Sequence, residues 1–328
     1  MSERMAALQA WLRDDVGIKE FGFAPASSDA SFRRYFRVTG NGRTFIAMDA
    51  PPDKEDVRPF IRVARAMAEL GLNVPQILAE DRTSGFLLLS DLGSRHYLQY
   101  LNTDSVDRLY ADAFAALRKL QGAPVAGAEL PKYDRALLLR EMALFRDWYL
   151  LRHLGWSPDA GLEEVLAQSF DFLVDEALAQ PRVWVHRDFH SRNLMVCDDD
   201  NPGILDFQDA VIGPVTYDLV SLLRDCYIAW PAARVAAWAK GYWAVLHADG
   251  LVAEVSAEQF LRWFDFMGVQ RHLKAIGIFA RLNYRDGKAG YLPDIPRTLG
   301  YVLEVSARYP ELAPLRRLME ERGPDQPR

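Results

Sequence analysis

Val183 to Ala210 reads VWVHRDFHSRNLMVCDDDNPGILDFQDA, and the reading of the chain turns on it. Val183 to Val185, Asn193 to Val196 and Gly203 to Asp206 are short apolar runs with strand composition, parted by polar residues. His186-Arg187-Asp188 follows the first run. Asn193 stands five residues after the aspartate, and Asp206, thirteen residues further on, ends the third run. Any one of these side chains suits an ordinary polar hairpin, where Asp and Asn form turns. The three together match the needs of phosphoryl transfer from ATP. That reaction requires a carboxylate to orient the attacking hydroxyl and accept its proton. It also requires an amide oxygen and a second carboxylate to hold Mg²⁺ against the phosphates. Magnesium takes hard oxygen ligands and keeps several waters, so one Asn and one Asp suffice.

Upstream, Phe32 to Val38 and Thr44 to Asp49 read as strands around Gly40-Asn41-Gly42, a hairpin signal. Asp56 to Leu70 predicts a helix with Phe60, Val63, Ala64, Met67 and Leu70 on one side and Gly71 as its stop. Ile77 to Ala79 and Gly85 to Leu89 predict a second strand pair. From Thr103 the pattern is helical: to Leu120, Asp134 to Leu154, Gly161 to Leu178, Tyr217 to Ile228, Ala232 to Leu246, Ser256 to about Asn283, and Ile295 to Ser306. The expected architecture is α+β and bilobal. A sheet-containing N-lobe over 1–91 covers the nucleotide, and a helical C-lobe over 92–328 carries the catalytic loop, the metal site and the substrate pocket.

The chain has 328 residues, half of them apolar, 12% aromatic and 26% charged. These proportions exclude a largely disordered chain. No run approaches the roughly 18 to 20 apolar residues of a membrane span. The opening MSERMAALQAWLRDD mixes acids and bases and reads as an amphipathic helix, not a secretory signal. Two cysteines, Cys197 and Cys226, form no disulfide framework and suit a reducing cytoplasm. A net charge of −6 argues against a nucleic-acid partner. No obligate protein partner is evident.

With these motifs in place, the chain resembles the aminoglycoside phosphotransferase family of protein-kinase-like small-molecule kinases over nearly its whole length. GPVTYDLVSLLRD, with Asp218 after the metal strand, adds to the likeness. The resemblance implies Asp188 as catalytic base, with Asn193 and Asp206 as ligands of Mg²⁺. It places His190 where such kinases often carry a histidine, either as a structural hydrogen bonder or beside the substrate. Gln270 to Arg297, SSDASFRRYFRV and MDAPP are similar to the bacterial N-acetylmuramate/N-acetylglucosamine anomeric kinases of cell-wall recycling. That likeness implies an amino-sugar acceptor. Another kinase of this fold, for aminoglycosides or choline, and a catalytically dead scaffold are the alternatives. The intact Asp188, Asn193 and Asp206 weigh against the scaffold.

Ser27-Ser28-Asp29-Ala30-Ser31 occupies the position of the phosphate-covering loop without its glycines. Ser28 and Ser31 are candidates there for the nucleotide, with Arg33 or Arg34 next. Met48 stands where most such kinases carry a strand lysine, so an arginine, Arg34 or Arg62, is expected to supply that charge. Ser90, Asp91 and Leu92 are the candidates at the adenine edge. For the acceptor, Arg271, Lys274, Arg281, Arg285 and Lys288 fall within roughly 100° of arc on a helix. His272 lies beside them. Arg271, His272, Arg281 and Arg285, with His190, are the candidate substrate residues. A basic face suits an anionic acceptor, although Glu141, Asp147, Trp148 and Tyr149 could instead serve a cationic one.

Overall fold

The structure is a computed structural model and describes residues 3–27, 32–40 and 42–321. Two compact units compose it: Met1–Lys119 with Arg192–Asp209, and Leu120–Ser191 with Ala210–Arg328. This division differs from a single cut after residue 91. The first unit runs on to Lys119, and the chain re-enters it at Arg192 to form a hairpin there.

In the first unit, α1 (Glu3–Asp14) precedes an antiparallel sheet of order β1-β2-β3-β5-β4. The strands are β1 (Gly22–Ser27), β2 (Arg34–Gly40), β3 (Arg43–Asp49), β4 (Ile77–Asp81) and β5 (Phe86–Ser90). The predicted Gly40–Gly42 hairpin joins β2 and β3, with Gly40 opposite Arg43 and Gly42 at φ 71°. β1 was not foreseen. Leu8, Trp11 and Leu12 of α1 pack on Phe36, Val38, Ala47, Phe86 and Leu88 of the sheet. Asp49, fully buried at the end of β3, accepts hydrogen bonds from Arg4 of α1 and from Arg34, its cross-strand neighbour. α2 (Val57–Glu69) starts at Asp56, whose carboxylate accepts the Arg58 N–H, and buries Phe60, Val63, Ala64 and Met67 as the periodicity required. Two further helices, α3 (Tyr97–Tyr100) and α4 (Val106–Gln121), follow.

The second unit is mostly helical. α5 (Arg135–Leu144), capped by Asp134, passes without a break into a π-helical segment, Phe145–His153. α6 (Ala160–Leu178) leads to β6 (Arg182–Val185). β7 (Leu194–Met195) and β8 (Gly203–Ile204) belong to the first unit. β9 (Val211–Pro214) then pairs antiparallel with β6. α7 (Tyr217–Leu223), α8 (Ala232–Ala248), α9 (Ala257–Asp286), α10 (Ile295–Ser306) and α11 (Ala313–Glu321) complete the unit. α7 ends five residues short of the expected Ile228, because Arg224 leaves helical geometry at φ −118°, ψ 53°.

α9 is the spine of the second unit. Its thirty residues start at the Ser256 cap and stop at Gly287, which takes the left-handed conformation that glycine adopts at least cost. Gly277 marks its closest approach to another element. A Cβ there would lie 2.3 Å from the carbonyl carbon of Leu144, where α5 becomes π-helical. Only a glycine lets the two backbones meet this closely.

Candidate active site

In the second unit, β6 delivers the loop 186–191, and two buried aspartates hold its ends. Asp218 of α7 accepts the backbone N–H groups of His186 (2.6 Å) and Arg187 (2.9 Å). Asp225, just beyond α7, accepts both the N–H (2.9 Å) and the Oγ–H (2.5 Å) of Ser191. The same aspartate accepts the Tyr227 N–H at 2.9 Å, and the Tyr227 ring meets His190 edge-on at 5.2 Å. Arg187 takes a positive φ of 79°, a strained state for an arginine, and the Asp218 clamp holds it there. The Asp188 N–H donates to Nδ1 of His186 at 3.2 Å, which turns the loop tightly around the candidate base.

Basic side chains set the charge of Asp188. Burial alone would raise its pKa, but Lys274, His190, Arg271 and Arg187 outweigh burial and hold the carboxyl well below the usual carboxylate range. Asp218 shows the opposite balance. Burial, together with the nearby Asp188 charge, pushes it up to about 7 despite its two N–H bonds.

Beneath the loop lies a network that the sequence did not reveal. Glu141 of α5 pairs with Arg187 and, at 3.3 Å, with Lys274 of α9, and it accepts the Tyr133 hydroxyl. Lys274 also donates to the Tyr217 hydroxyl at 3.0 Å. Glu141 is therefore committed inside the protein, which removes it from the acidic wall that a cationic substrate would need. Its signal was an acid amid an apolar helix, and sequence spacing names no partner for such a residue.

In the first unit, Leu194 pairs with Ile204 and Met195 with Gly203, and the Leu205 N–H donates to the Asn193 carbonyl at 2.9 Å. Asn193 and Asp206 thus stand at matching ends of one hairpin, with Asn193 Nδ2 3.4 Å from Asp206 Oδ2. Gln208 donates to the other Asp206 oxygen at 2.7 Å. Asp206 has φ 62°, and the buried Phe207 after it packs on Phe60 of α2 at 4.9 Å. An amide and a carboxylate together are a hard-oxygen donor set that fits Mg²⁺. Among the described residues, no three His, Cys, Asp or Glu side chains gather into a cage made of protein alone.

The nucleotide candidates divide. Ser28 and Ser31 lie outside the described residues. Met48 is fully buried between Tyr35 and Leu87 on the neighbouring strands. Arg34 is tied to Asp49, and Arg62 is exposed on α2. Arg33 lies 3.7 Å from Glu55, and both side chains are largely shielded. The Ser90 hydroxyl accepts the Gln76 N–H at 2.8 Å. Asp91 pairs with Arg37 at 2.7 Å, and the Leu92 carbonyl lies 3.9 Å from Cys197 Sγ.

The basic stripe on α9 also divides. Arg271 and Lys274 are buried, Arg281 is half-buried, and Arg285 is exposed against Asp286. Lys288 lies beyond the helix. His272 donates through Nε2 to the Arg224 carbonyl at 2.9 Å and stacks on Tyr301 at 4.9 Å. Burial pushes its pKa down to about 3, which leaves a neutral ring engaged in packing.

Comparison with known proteins identifies the family and the fold. The profile of the phosphotransferase enzyme family matches residues 22–262. The chain is 51% identical to an N-acetylmuramate/N-acetylglucosamine kinase of Pseudomonas putida, over 97% of this chain and 96% of that protein. It is 52% identical to the kinase of the same name from Pseudomonas aeruginosa, over 90% and 87%. Among solved structures, the GDP complex of aminoglycoside 2'-phosphotransferase-IIIa superposes with a TM-score of 0.63. It covers 94% of this chain and 99% of its own at 16% identity, a likeness of fold.

Proposed function

The chain belongs to the phosphotransferase enzyme family, and from that premise we propose that it is an ATP-dependent sugar kinase. Its acceptors are N-acetylmuramate and N-acetylglucosamine, phosphorylated at the anomeric hydroxyl in peptidoglycan recycling. The observation that carries the mechanism is Asp188, a carboxylate held in its charged form by neighbouring lysine, arginine and histidine side chains on a loop clamped at both ends.

Asp188 orients the acceptor hydroxyl and takes its proton as the oxygen attacks the γ-phosphorus. The bond from that phosphorus to the β,γ-bridging oxygen breaks, ADP departs, and the proton stays on Asp188 until solvent removes it. Asn193 and Asp206 are the residues that would hold Mg²⁺. When bound, the ion supplies charge neutralisation at the phosphate oxygens. The backbone bonds of Asp188 to His186 and His190 fix its loop, and the side chains of Asn193 and Gln208 hold the Asp206 carboxylate, before substrate arrives, which lowers the reorganisation the reaction requires. Arg33 beside Glu55 takes the place of the usual strand lysine and helix acid near the phosphates. Backbone groups of Ser90 to Leu92 receive the adenine edge.

An ATP-consumption screen with N-acetylmuramate, N-acetylglucosamine, kanamycin and choline tests the reading. Turnover with the two amino sugars is expected. Turnover confined to kanamycin or choline, or absent with all four, would overturn it.

A further inference from the structure

Three lysine or arginine side chains are buried among the described residues: Arg224, Arg271 and Lys274. Arg224 meets Asp265 at 2.5 Å, and Lys274 meets Glu141. Arg271 has no acid within hydrogen-bond reach. Its Nη1 faces the Cys226 thiol at 3.7 Å, and its Nε makes no hydrogen bond. Only 5% of this residue is exposed. A guanidinium carries five donors and cannot shed its proton. Asp188 and Asp225 balance its charge through space without contact, but a buried guanidinium with one weak thiol acceptor leaves donors that an anion in contact would fill.

The surroundings indicate which anion. Arg297 donates through Nη1 to the Cys226 carbonyl at 2.7 Å and to Asp294 at 3.1 Å, so two guanidinium groups converge on Cys226, one of them also paired with an acid. From the next residue runs a chain of rings. Tyr227 meets His190 at 5.2 Å and Phe279 at 6.1 Å, and Phe279 stacks on Tyr291 at 5.8 Å. His190 is two residues from the catalytic base. Aromatic faces receive the C–H faces of a sugar, and an arginine grips a carboxylate through two parallel hydrogen bonds. Asn193 and Asp206, the residues assigned to the nucleotide's metal, belong to the other unit. Arg271 shares its unit with the group that handles the acceptor.

We propose that Arg271, with Arg297 beside it, forms an oxyanion subsite that receives the carboxylate of an anionic amino-sugar acceptor. This rests on the sugar-kinase reading and adds to it the means by which the lactyl acid of N-acetylmuramate is held. It also singles out Arg271 from the α9 stripe and leaves Arg285 to the solvent.

The experiment compares N-acetylmuramate, its methyl ester and N-acetylglucosamine with the wild-type protein and with Arg271→Met and Arg271→Lys. In the wild type, the neutral ester is expected to show a KM at least several-fold above that of the free acid. Arg271→Met should abolish that difference. It should also lower the ratio of kcat/KM for N-acetylmuramate over N-acetylglucosamine by about ten- to a hundredfold. The ratio cancels any loss common to both sugars, such as a weakened Asp188. Arg271→Lys, which keeps the charge and loses the fork, should fall between. Equal wild-type KM values for acid and ester overturn the subsite even if Arg271→Met does not fold. An equal loss on both sugars in Arg271→Met also overturns it, since that pattern belongs to contact with the transferred phosphoryl group. Absence of turnover with any of the sugars would sink the kinase reading instead. The calorimetric affinity of acid against ester then decides the subsite separately.

Discussion

Arg271 and Arg285 stand about four turns apart on one stripe of α9, and they meet opposite fates. Arg271 is buried on the part of α9 that packs against α5 and α7. Lys274, one turn further along, shares Glu141 with Arg187 beneath Asp188. Around Arg285 the helix is ending, the side chain is exposed, and its partner is the adjacent Asp286. The same residue type on the same face acts on Asp188 at one level and meets solvent at the other. Depth along the helix decides which, because a charge out of water interacts far more strongly with its neighbours than a solvated one.

The largest expected effect lies at the residue that the buried cations serve. Asp188→Asn keeps the size and removes the proton acceptor, so kcat should fall by about 10²- to 10⁴-fold, while Mg-ATP affinity by calorimetry changes little. A variant within a few-fold of wild type would mean that the cations surround a structural aspartate. Glu141→Ala comes next. It leaves Arg187 and Lys274 buried without their shared acid, and urea denaturation should record a loss of about 3–5 kcal/mol. A near-neutral result would place the network in water and dissolve the contrast between the two levels of α9.

Lys274→Met sharpens the comparison through pH. Lys274 is the strongest of the attractive charges on Asp188. A carboxyl with a depressed folded-state pKa contributes its charge-dependent stability above the usual carboxylate range and loses it as pH falls through the depressed value. Without Lys274, Asp188 should titrate higher. The acid limb of the kcat–pH profile should therefore move toward neutral pH, while the base itself remains. An unmoved acid limb would show that the lysine acts only in packing. The smallest effect is expected at the solvent end. Arg285→Ala should change stability by no more than about 0.5 kcal/mol and leave both KM values in place. A clear rise in KM for either sugar would extend the functional stripe to the end of the helix.

Most of the elements were legible because their signals are local. Gly71 and Gly287 stop helices by accepting positive φ. Asp56, Asp134 and Ser256 cap the N–H groups of the turns that follow them. The Gly40–Gly42 hairpin declares itself in three residues. Most of what went unread was short or bent: β1, β9, α3, the early end of α7 and the π-helical segment after Leu144; the nine-residue α11 was missed as well. Two- to six-residue strands carry too little periodicity to announce themselves. The π-turn depends on the close approach of α9 at Gly277, a residue far away in sequence.

The chemistry divides along the same line. Asp188, Asn193 and Asp206 were singled out as candidates from the sequence alone, because phosphoryl transfer constrains residue type and spacing within one short stretch of chain. Asp218 was visible for the same reason. Only the tertiary structure decided that Glu141 is spent on Arg187 and Lys274, that Asp225 holds the far end of the loop 186–191, and that Met48 is core. Helical spacing placed Arg271 and Arg285 on one arc and could go no further. Periodicity reports direction around an axis, whereas burial, and with it the strength of a charge, depends on what the rest of the chain packs against that axis at each level.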